Sequence, residues 1–566
     1  MRICVAGDGD TLVTIAKRYQ VGVELLIFLN PQIESPDLSM AGRQVNLPPA
    51  LSSPLRNPDQ LSSGLAGETA GYPPLCPPEE PLADYLEHWL PLTPVEQMAE
   101  KEYDVLIVGT GAGGGSAIWR LCEQWRTKGK RVGVVEAGDL LLPTHAYNIP
   151  TFNAERYWRY ITNPKYMELI GRSLPEYSGA RRFLAVGGRT VQWGTVSPRM
   201  HSSELSKWPV TLQEMDLYYN IAEREMYVTK DYARDSSFTE ILLDRIRING
   251  FPEATYIPLA ADLGQTKYGE VHSNVFFSSF IFLARALNQM PFDLAVRARV
   301  VNVITDNGSV AGVRVMTPAK QSYFLKAKNV ILAANAFETP RILLNSGIQG
   351  NAIGHYLTNH SMVVARGNIN TRNFPEVLGT LGILVPQAED RPFQIQLSGP
   401  RSYYWYHYEE KPLPVEWDIG FFAGFGVVEP RIENRLSLNP LRRDEYGVPE
   451  IQINFSYSER DQAIIRRVAF ALRQVASATG IRLIQEHDQP DICLLAPGLD
   501  NHECGTCRMG DDPSTSATNR YGQIHGVSGL YVTDNSVLPS LGAANPTLTT
   551  VALAIRTADY IVEQLK

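Results

Sequence analysis

Two polar side chains near the carboxyl end of this 566-residue chain have the chemistry needed to take a proton from an alcohol. His502 supplies an imidazole, and the ordinary imidazole pKa of about 6.5 suits a general base near neutral pH. Asn545 supplies a carboxamide, which can donate a hydrogen bond to the same hydroxyl or accept one from it. An alcohol is oxidised when a hydride leaves its carbon while a base takes the hydroxyl proton. This pair therefore suits alcohol oxidation, provided that a hydride acceptor lies beside it.

The segment that follows Asn545 predicts the helix that positions this carboxamide. Asn545 stands where an N-cap belongs, and Pro546 stands at the first helical position. The amino-terminal end of a helix carries partial positive charge, which would stabilise negative charge on a reduced acceptor. The apolar residues that share one face of this helix are Leu548, Val551, Ala552, Ile555, Ala558 and Val562.

A glycine-rich turn far upstream predicts where the acceptor binds. The apolar run 103–108 is typical of a buried parallel strand, and it leads directly into Gly109-x-Gly111-x-x-Gly114 and then a helix. A second strand ends at Glu136, 22 residues after Gly114. In such a motif the first glycine allows the tight turn, the second admits a pyrophosphate, and the third lets the helix pack on the strand. Glu136 would accept hydrogen bonds from an adenosine ribose, so the spacing predicts a dinucleotide site.

Two features favour FAD over NAD as the dinucleotide. The second strand ends in Glu136-Ala137-Gly138, an ending common among FAD-binding proteins. Downstream, a strand-like segment at 292–304 is followed by the turn Asn307-Gly308 and a returning strand at 310–315. A buried strand and a helix within 329–344 then resume the nucleotide-binding pattern. A nucleotide-binding unit interrupted by a hairpin and resumed far downstream is the layout of two-domain flavoproteins.

Three motifs give the region from residue 103 to 566 a resemblance to the glucose–methanol–choline (GMC) oxidoreductases. The resemblance is strongest to the pyranose oxidase branch and the bacterial C-glycoside oxidases. It implies an α/β fold in which a Rossmann-like FAD-binding domain is interleaved with a sheet-based α+β substrate domain. We assign FAD binding to about 101–200, 270–350 and 495–566, and substrate binding to about 201–269 and 351–494. The motifs are His502-Glu503-Cys504-Gly505-Thr506-Cys507-Arg508-Met509-Gly510, Gly542-Ala543-Ala544-Asn545-Pro546-Thr547-Leu548-Thr549 and Val186-Gly187-Gly188-Arg189-Thr190-Val191-Gln192-Trp193-Gly194.

The resemblance also implies roles for individual residues. In this family the residues at the positions of His502 and Asn545 face the flavin, and Asp534 lies beside its ribityl or pyrophosphate part. Fungal pyranose oxidases carry a histidine covalently joined to FAD where this chain has Gln192, so we predict non-covalent FAD. We expect Gln192 and Trp193 at the substrate, and we assign no chemistry to His360 and no metal site. The residues expected at FAD are Gly109, Gly111, Ala112, Gly114, Glu136, Gly187, Gly188, Val300, Asp534, Asn545, Pro546 and Thr547.

A separate small unit is predicted at residues 1–49. Leu12, Ile15 and Tyr19 share one helical face, and a second amphipathic helix stops at Asn30-Pro31. Short strands on either side complete a βααβ unit. This segment resembles a LysM module in its GDTL, IAKRY and GRQVNLP sequences, which implies binding of an N-acetylglucosamine-containing glycan. The alternative is a small packing or assembly domain without glycan affinity.

Composition limits the class and the location of the protein. A proline-rich linker at 50–100 joins the small unit to the large unit at 101–566. The net charge of −8 argues against a nucleic-acid partner, and no apolar run reaches the roughly 18 residues of a membrane-spanning helix. The amino terminus lacks the apolar segment of a signal peptide. We expect reduced cysteines, with a redox disulfide between Cys504 and Cys507 as the alternative. These features favour a cytoplasmic protein, and the LysM unit offers cell-wall or spore association as the alternative.

The sequence predicts an FAD-dependent enzyme that oxidises a CH–OH group of a sugar or glycoside to a ketone, with dioxygen or a quinone as electron acceptor. One alternative is an oxidoreductase for a non-sugar alcohol or a hydroxynitrile-lyase-like enzyme. Another is a glycan-binding protein in which the flavin unit is secondary. The aromatic run 403–408 predicts either a substrate entrance or a sheet or subunit contact. Related oxidases often form oligomers, so a homo-oligomer is compatible with the sequence.

Overall fold

The computed structural model describes residues 2–33, 35–48, 89–149, 151–152, 154–170, 175–234, 236–262, 275–370, 372, 374, 380–399, 416–485 and 490–566. Most of the predicted linker (50–88) and the aromatic run 403–408 lie outside these ranges. The chain forms two units, Met1–Leu82 and Ala83–Lys566. In the part of the chain that is described, no helix combines the length and apolar character needed to cross a membrane.

The first unit has the predicted βααβ order. Leu12, Ile15 and Leu26 are buried in one small core. The buried side chain of Asn30 donates to the carbonyls of Leu26 and Asn46 and accepts from the Asn46 N–H, so it fixes the end of the second helix against the closing strand. The elements are β1 (Arg2–Val5), α1 (Leu12–Tyr19), α2 (Val23–Leu29) and β2 (Gln44–Leu47), and β1 and β2 pair antiparallel.

The second unit is built around a parallel sheet of short apolar strands. Every residue of these strands except Asp293 is buried, as expected for a sheet covered on both faces. The strands are β4 (Val105–Val108), β5 (Val132–Val135), β12 (Asp293–Ala295), β16 (Val330–Leu332) and β27 (Leu530–Val532), in the order β12-β5-β4-β16-β27. The predicted α/β class is confirmed.

A second sheet contains the predicted hairpin. Its strands are β3 (Glu102–Tyr103), β13 (Arg299–Asp306), β14 (Ser309–Met316) and β15 (Ser322–Ala327). The turn at Asn307-Gly308 is confirmed, since both residues take positive φ angles of 48° and 78° and Asp306 lies opposite Ser309. The prediction of one strand over 292–304 is wrong. The chain turns at Arg297, whose φ is 53°, and so β12 and β13 belong to different sheets.

The second unit also contains a larger, six-stranded antiparallel sheet. Its strands run in the order β26-β17-β22-β20-β19-β9: β9 (Thr255–Tyr256), β17 (Ser361–Ala365), β19 (Leu381–Val385), β20 (Phe393–Gly399), β22 (Phe421–Gly426) and β26 (Ile492–Leu494). The remaining strands form small sheets and hairpins: β6 (Met167–Leu169), β7 (Arg181–Phe183), β8 (Val228–Thr229), β10 (Leu259–Asp262), β11 (Val275–Phe276), β18 (Gly367–Asn370), β21 (Glu416–Asp418), β23 (Arg435–Arg443), β24 (Pro449–Asn454) and β25 (Arg482–Leu483).

Helices pack against one face of the parallel sheet and one side of the antiparallel sheet, while strands β13, β14 and β15 pack against the other face of the parallel sheet. Residues 89–100, grouped with the linker by composition, pack here against the second unit, because Val95 and Met98 are buried in its core. The helices are α3 (Val95–Ala99), α4 (Ala112–Trp125), α5 (Ala154–Ile161), α6 (Ser202–Leu205), α7 (Leu212–Glu225), α8 (Ser237–Ile248), α9 (Phe280–Gln289), α10 (Asn335–Asn345), α11 (Glu459–Thr479) and α12 (Thr547–Gln564).

A buried ionic cluster joins α10 to the strands around it. The Glu338 carboxylate accepts from Arg182 of β7 and Arg341, and lies 3.4 Å from Arg299 of β13. Asp444 pairs with Arg299 and Arg341. Burial would raise the pKa of Glu338, but Arg341, Arg182 and Arg299 together hold it well below its ordinary value. The charged form of Glu338 therefore stabilises the fold.

We expect Glu338→Gln to lower the free energy of unfolding at pH 7 by about 3 kcal/mol, because it leaves buried guanidinium groups without their counter-charge. The pKa of Glu338 is lower in the folded than in the unfolded chain. The variant's loss in free energy of unfolding is therefore largest at neutral pH. It shrinks as the pH falls below about 4, where the Glu338 carboxyl of the unfolded chain becomes protonated. Denaturant unfolding at several pH values measures this. Glu445→Gln, in the exposed pair with Lys320, is the matched control and should change little. An unchanged midpoint for Glu338→Gln at pH 7 would contradict the assignment.

Candidate active site

A cavity of about 550 Å³ lies at the carboxyl ends of three neighbouring parallel strands. Gly109 follows β4, Ala333 follows β16, and Asp534 closely follows β27, and all three line the cavity. Ligands of open parallel sheets bind at this edge, because the loops there diverge and leave a crevice. The antiparallel sheet contributes Gln396 and Phe425 to the same cavity.

The glycine turn divides into packing positions and one open position. A Cβ on Gly113 would lie 1.9 Å from the Thr533 carbonyl oxygen, and one on Gly114 would lie 2.0 Å from the Gly109 carbonyl oxygen. Gly109 itself has a φ of 99°, which favours glycine. A Cβ on Gly111 would meet nothing within 4 Å. Gly113 and Gly114 are therefore required by close packing, whereas Gly111 leaves room in the cavity.

Two helices point their amino-terminal ends at this cavity. α4 begins at Ala112 after Gly111, and no side chain caps it. α12 begins at Thr547 after Pro546, again without a side-chain cap. Uncapped backbone N–H groups at a helix start suit an anionic or electron-rich ligand group. The predicted N-cap role of Asn545 is wrong: the helix begins one residue later, because Pro546 takes the cap position and the Asn545 side chain is bonded elsewhere.

Two buried carboxylates stand at the edge of the cavity. Glu136 accepts from the Thr110 N–H at 3.0 Å and the Gly138 N–H at 2.8 Å, while Asp534 accepts from the Asn335 N–H at 3.0 Å. Burial raises the pKa of both groups, and these hydrogen bonds oppose that rise. Each carboxylate is thus held rigidly at the end of its strand.

The Asn545 carboxamide is oriented by two glutamines of β20. Its Oδ1 accepts from Nε2 of Gln394 at 2.9 Å and from Nε2 of Gln396 at 2.6 Å. These glutamines are two residues apart on one strand, so they share a face of the sheet. With its oxygen engaged twice, Asn545 presents its Nδ2 donor to the cavity that it lines.

His502 contacts a second histidine. The Nδ1 atoms of His502 and His360 are 2.9 Å apart, and His360 Nε2 lies 3.2 Å from the Gly542 carbonyl oxygen. The Asp500 carboxylate accepts from the His360 backbone N–H and lies 3.9 Å from His502 Nδ1. The expectation that His360 has no part in the chemistry overlooked this contact. Both imidazoles and Asp500 are metal-ligand types within 4.8 Å of one another, but the hydrogen bond between the rings already occupies both Nδ1 atoms.

The electrostatics keep both imidazoles neutral. Burial, helped by the positive charge of Arg189, lowers the pKa of His502 to about 3. Burial also lowers the pKa of His360 well below its ordinary value. Burial and the neighbouring Glu503 carboxylate raise the pKa of Asp500 to about 7. At neutral pH His502 is therefore the unprotonated form that can accept a proton.

The remaining predicted residues fall into two groups. Gly187 and Gly114 pack behind the cavity and do not line it. Trp193 lines it, and its indole N–H is already engaged because it donates to the Phe277 carbonyl at 2.9 Å. The other predicted residues that line the cavity are Ala112, Gly188, Gln192, Val300, Pro546 and Thr547.

The cysteines of the His502 motif do not form a disulfide. Cys504 and Cys507 are free thiols and fully buried. Burial raises the pKa of both well above the ordinary thiol value, so neither is a thiolate at neutral pH. Their place in the core suits packing rather than redox chemistry.

Comparison with known proteins identifies the family. Residues 103–362 and 430–554 match GMC oxidoreductase, and residues 7–48 match the LysM domain. The chain is 28% identical over 405 residues to a C-glycoside 3-oxidase of Arthrobacter globiformis, covering 67% of this chain and 74% of that enzyme. It is 24% identical over 442 residues to a pyranose 2-oxidase of Tricholoma matsutake, covering 70% and 75%. The crystal structure of pyridoxine 4-oxidase from Mesorbium loti shares the fold, with a TM-score of 0.61 and 17% identity over 81% of this chain and 99% of that one.

The chain belongs to the GMC oxidoreductase family and carries a LysM domain at its amino terminus. It is an FAD-dependent oxidoreductase that acts on CH–OH donors. The cavity fits FAD by its own geometry. The open space at Gly111 beside the uncapped start of α4 suits the pyrophosphate of FAD. The uncapped start of α12 suits the electron-rich edge of the flavin ring.

We expect Gly111→Ala and Gly114→Ala to behave differently. Gly111→Ala should fold normally and bind FAD at least about tenfold more weakly, because its methyl group enters the cavity. Gly114→Ala should lose about 2 kcal/mol of folding stability, because its methyl group meets backbone. Thermal unfolding and the flavin-to-protein ratio measure the two effects. Flavin is counted in the supernatant after acid precipitation, where we expect all of it because Gln192 stands in place of the histidine that would form a covalent bond. Full flavin content in Gly111→Ala would contradict this account.

Proposed function

We propose that the enzyme oxidises a ring CH–OH group of a sugar or glycoside to a ketone, with His502 as the base and Asn545 as the hydrogen-bond donor to the reacting oxygen. The observation that carries this proposal is the shared cavity. A neutral imidazole and an oriented carboxamide line the same space as the glycine turn and the start of α4.

In the proposed mechanism the protein acts on the hydroxyl. FAD held at Gly111 and at the starts of α4 and α12 would supply the hydride acceptor and the route for electrons to dioxygen or a quinone. His502 takes the hydroxyl proton, which its neutral form allows. The Nδ2 donor of Asn545 holds the same oxygen and fixes the direction of the C–H bond. Asp500, 3.9 Å from His502, stabilises the imidazolium that forms.

The surroundings of His502 support a carbohydrate substrate. The rings of Phe421 and Phe425 stack with centroids 6.2 Å apart, and the Phe425 ring centroid lies 5.7 Å from that of His502. Gln396 and Ser398 add polar groups to the same cavity. Aromatic faces beside a few amide and hydroxyl groups suit a sugar, which has C–H faces and a rim of hydroxyls. The C-glycoside and pyranose oxidases among the relatives agree with this class.

We expect anaerobic mixing of the holoenzyme with a panel of free sugars, glycosides and non-sugar alcohols to bleach the flavin absorbance with sugars or glycosides most efficiently. His502→Asn should slow this reduction about 10³-fold at unchanged flavin content, because no base takes the proton. The rapid-mixing absorbance trace measures both. His525→Asn is the matched control: its Nε2 bonds to Ser516 away from the cavity, and it should keep the native rate.

Each other outcome of that experiment has a defined meaning. Bleaching by non-sugar alcohols alone would make this an alcohol oxidoreductase. Cleavage of a hydroxynitrile without bleaching would place it with the lyases. A native reduction rate in His502→Asn would remove the imidazole from its proposed role.

We further propose that the LysM domain binds an N-acetylglucosamine-containing glycan, such as chitin or peptidoglycan, and brings the oxidoreductase to it. The match to residues 7–48 supports this partner and the cell-wall association that it implies. The full-length chain should pellet with insoluble chitin or peptidoglycan and be released by soluble N-acetylglucosamine oligomers. Cellulose is the matched control matrix, since it lacks the acetamido groups. Equal pelleting with cellulose would contradict glycan recognition.

A further inference from the structure

We propose that His360 is a positioning residue that fixes the tautomer of His502, placing the proton on Nδ1 and the lone pair on Nε2. This inference rests on the proposed role of His502 as the base. It names the residue that decides which nitrogen of that base is free to react.

A backbone carbonyl fixes the tautomer of His360. The Gly542 oxygen, 3.2 Å from His360 Nε2, can only accept a hydrogen bond, so His360 Nε2 must carry a proton. A neutral imidazole has one N–H, and His360 is neutral. Its Nδ1 is therefore a lone pair.

The tautomer of His360 in turn fixes that of His502. His360 Nδ1 and His502 Nδ1 are 2.9 Å apart, a distance at which one nitrogen must donate and the other accept. Since His360 Nδ1 accepts, His502 Nδ1 donates. The lone pair of neutral His502 then lies on Nε2, which has no hydrogen-bond partner among the described residues. The side chain of His502 is 16% exposed and lines the cavity.

The backbone explains why the two histidines meet. Thr358 and Cys504 form an antiparallel bridge, with N–H to carbonyl bonds of 3.1 and 2.9 Å. Two residues further along each strand, in the opposite directions that antiparallel pairing requires, stand His360 and His502. Their side chains therefore emerge on the same side of the bridge.

Packing keeps the His360 ring in place. The ring is 1% exposed and lies edge-on to Phe425, with centroids 5.5 Å apart. Its own backbone N–H donates to Asp500 at 2.9 Å. These contacts and the hydrogen bond from Nε2 to Gly542 give the His360 ring one orientation. Its Nδ1 therefore always faces His502, and the proton of His502 stays on Nδ1.

The contact between the two histidines also persists when His502 is protonated. When His502 gains a proton on Nε2, its Nδ1–H continues to donate to His360. The added positive charge then lies 3.9 Å from Asp500, while Arg189, whose charge opposes protonation of His502, is paired with Glu503 at 2.6 Å. The Gly542 carbonyl does not take a proton, so the added proton stays on the histidine pair.

Nitrogen NMR of the FAD-loaded full chain, labelled with ¹⁵N in its histidine rings, tests the tautomer directly. The His502 signals are assigned by their loss in His502→Asn. We expect Nδ1 to be the protonated nitrogen of His502 and Nε2 the bare one, and we expect this pattern to change in His360→Phe. A wild-type spectrum with the His502 proton on Nε2 would overturn the proposal, even where His360→Phe fails to fold.

Kinetics test the consequence. His360→Phe keeps an aromatic ring beside Phe425 but has no acceptor, and it should slow flavin reduction by the substrate about 10²-fold at unchanged flavin content. His360→Asn offers an amide oxygen to His502 and should recover to within about tenfold of wild type. His355→Asn, at a histidine whose Nδ1 bonds to the Ile432 carbonyl, is the control and should stay at the native rate.

A native rate in His360→Phe would overturn the positioning role, as would equal losses in His360→Phe and His360→Asn. These results are separable from a failure of the proposed function. If no sugar or glycoside reduces the wild-type flavin, the proposed function fails, while the NMR pattern still decides the tautomer.

Discussion

Two facing imidazole nitrogens 2.9 Å apart can share only one proton, and this constraint orders the centre of the enzyme. The Gly542 carbonyl decides on which ring the shared proton resides. The loop that carries Gly542 also carries Asn545, and Gln387, just after β19, holds this loop by accepting from the Ala543 N–H at 2.9 Å. In the proposed mechanism, one loop thus fixes the tautomer of His502 and presents the Asn545 donor beside it.

The rest of the unit keeps these groups over a nucleotide cavity. The glycine turn brings α4 against its strand so closely that a single added methyl group at Gly113 or Gly114 would meet backbone oxygen. The buried ions at Glu338 tie α10 to β7 and β13, and Arg182, Arg299 and Glu338 all line the cavity. The buried carboxylates of Glu136, Glu338 and Asp534 each accept hydrogen bonds, which is what burial demands of a charged group.

Local patterns predicted much of this arrangement. The glycine spacing, the buried strands and the Asn307-Gly308 hairpin follow from short-range physics, because each depends on backbone angles and on residues close in sequence. The strand expected over 292–304 was wrong because one left-handed residue, Arg297, redirects the chain, and no pattern marks a non-glycine residue for that conformation. The start of α12 was misplaced by one residue, since the two glutamines that bind Asn545 come from a strand about 150 positions earlier.

His360 shows where sequence reasoning reaches its limit. It stands alone in a polar stretch just before β17, without a partner at any characteristic spacing. Its contact with His502 arises from the bridge between Thr358 and Cys504. This pairing spans more than 140 residues, and only the fold establishes it.

The central claim is that the imidazole of residue 502 and the carboxamide of residue 545 meet at one hydroxyl of the substrate. A crystal structure of the holoenzyme, chemically reduced to prevent turnover and soaked with a glycoside, tests it most directly. The account predicts one sugar hydroxyl within hydrogen-bond distance of both His502 Nε2 and Asn545 Nδ2, with His502 Nδ1 still bonded to His360. A sugar whose hydroxyls all lie beyond reach of His502, or an imidazole turned to present Nδ1 to the substrate, would contradict it.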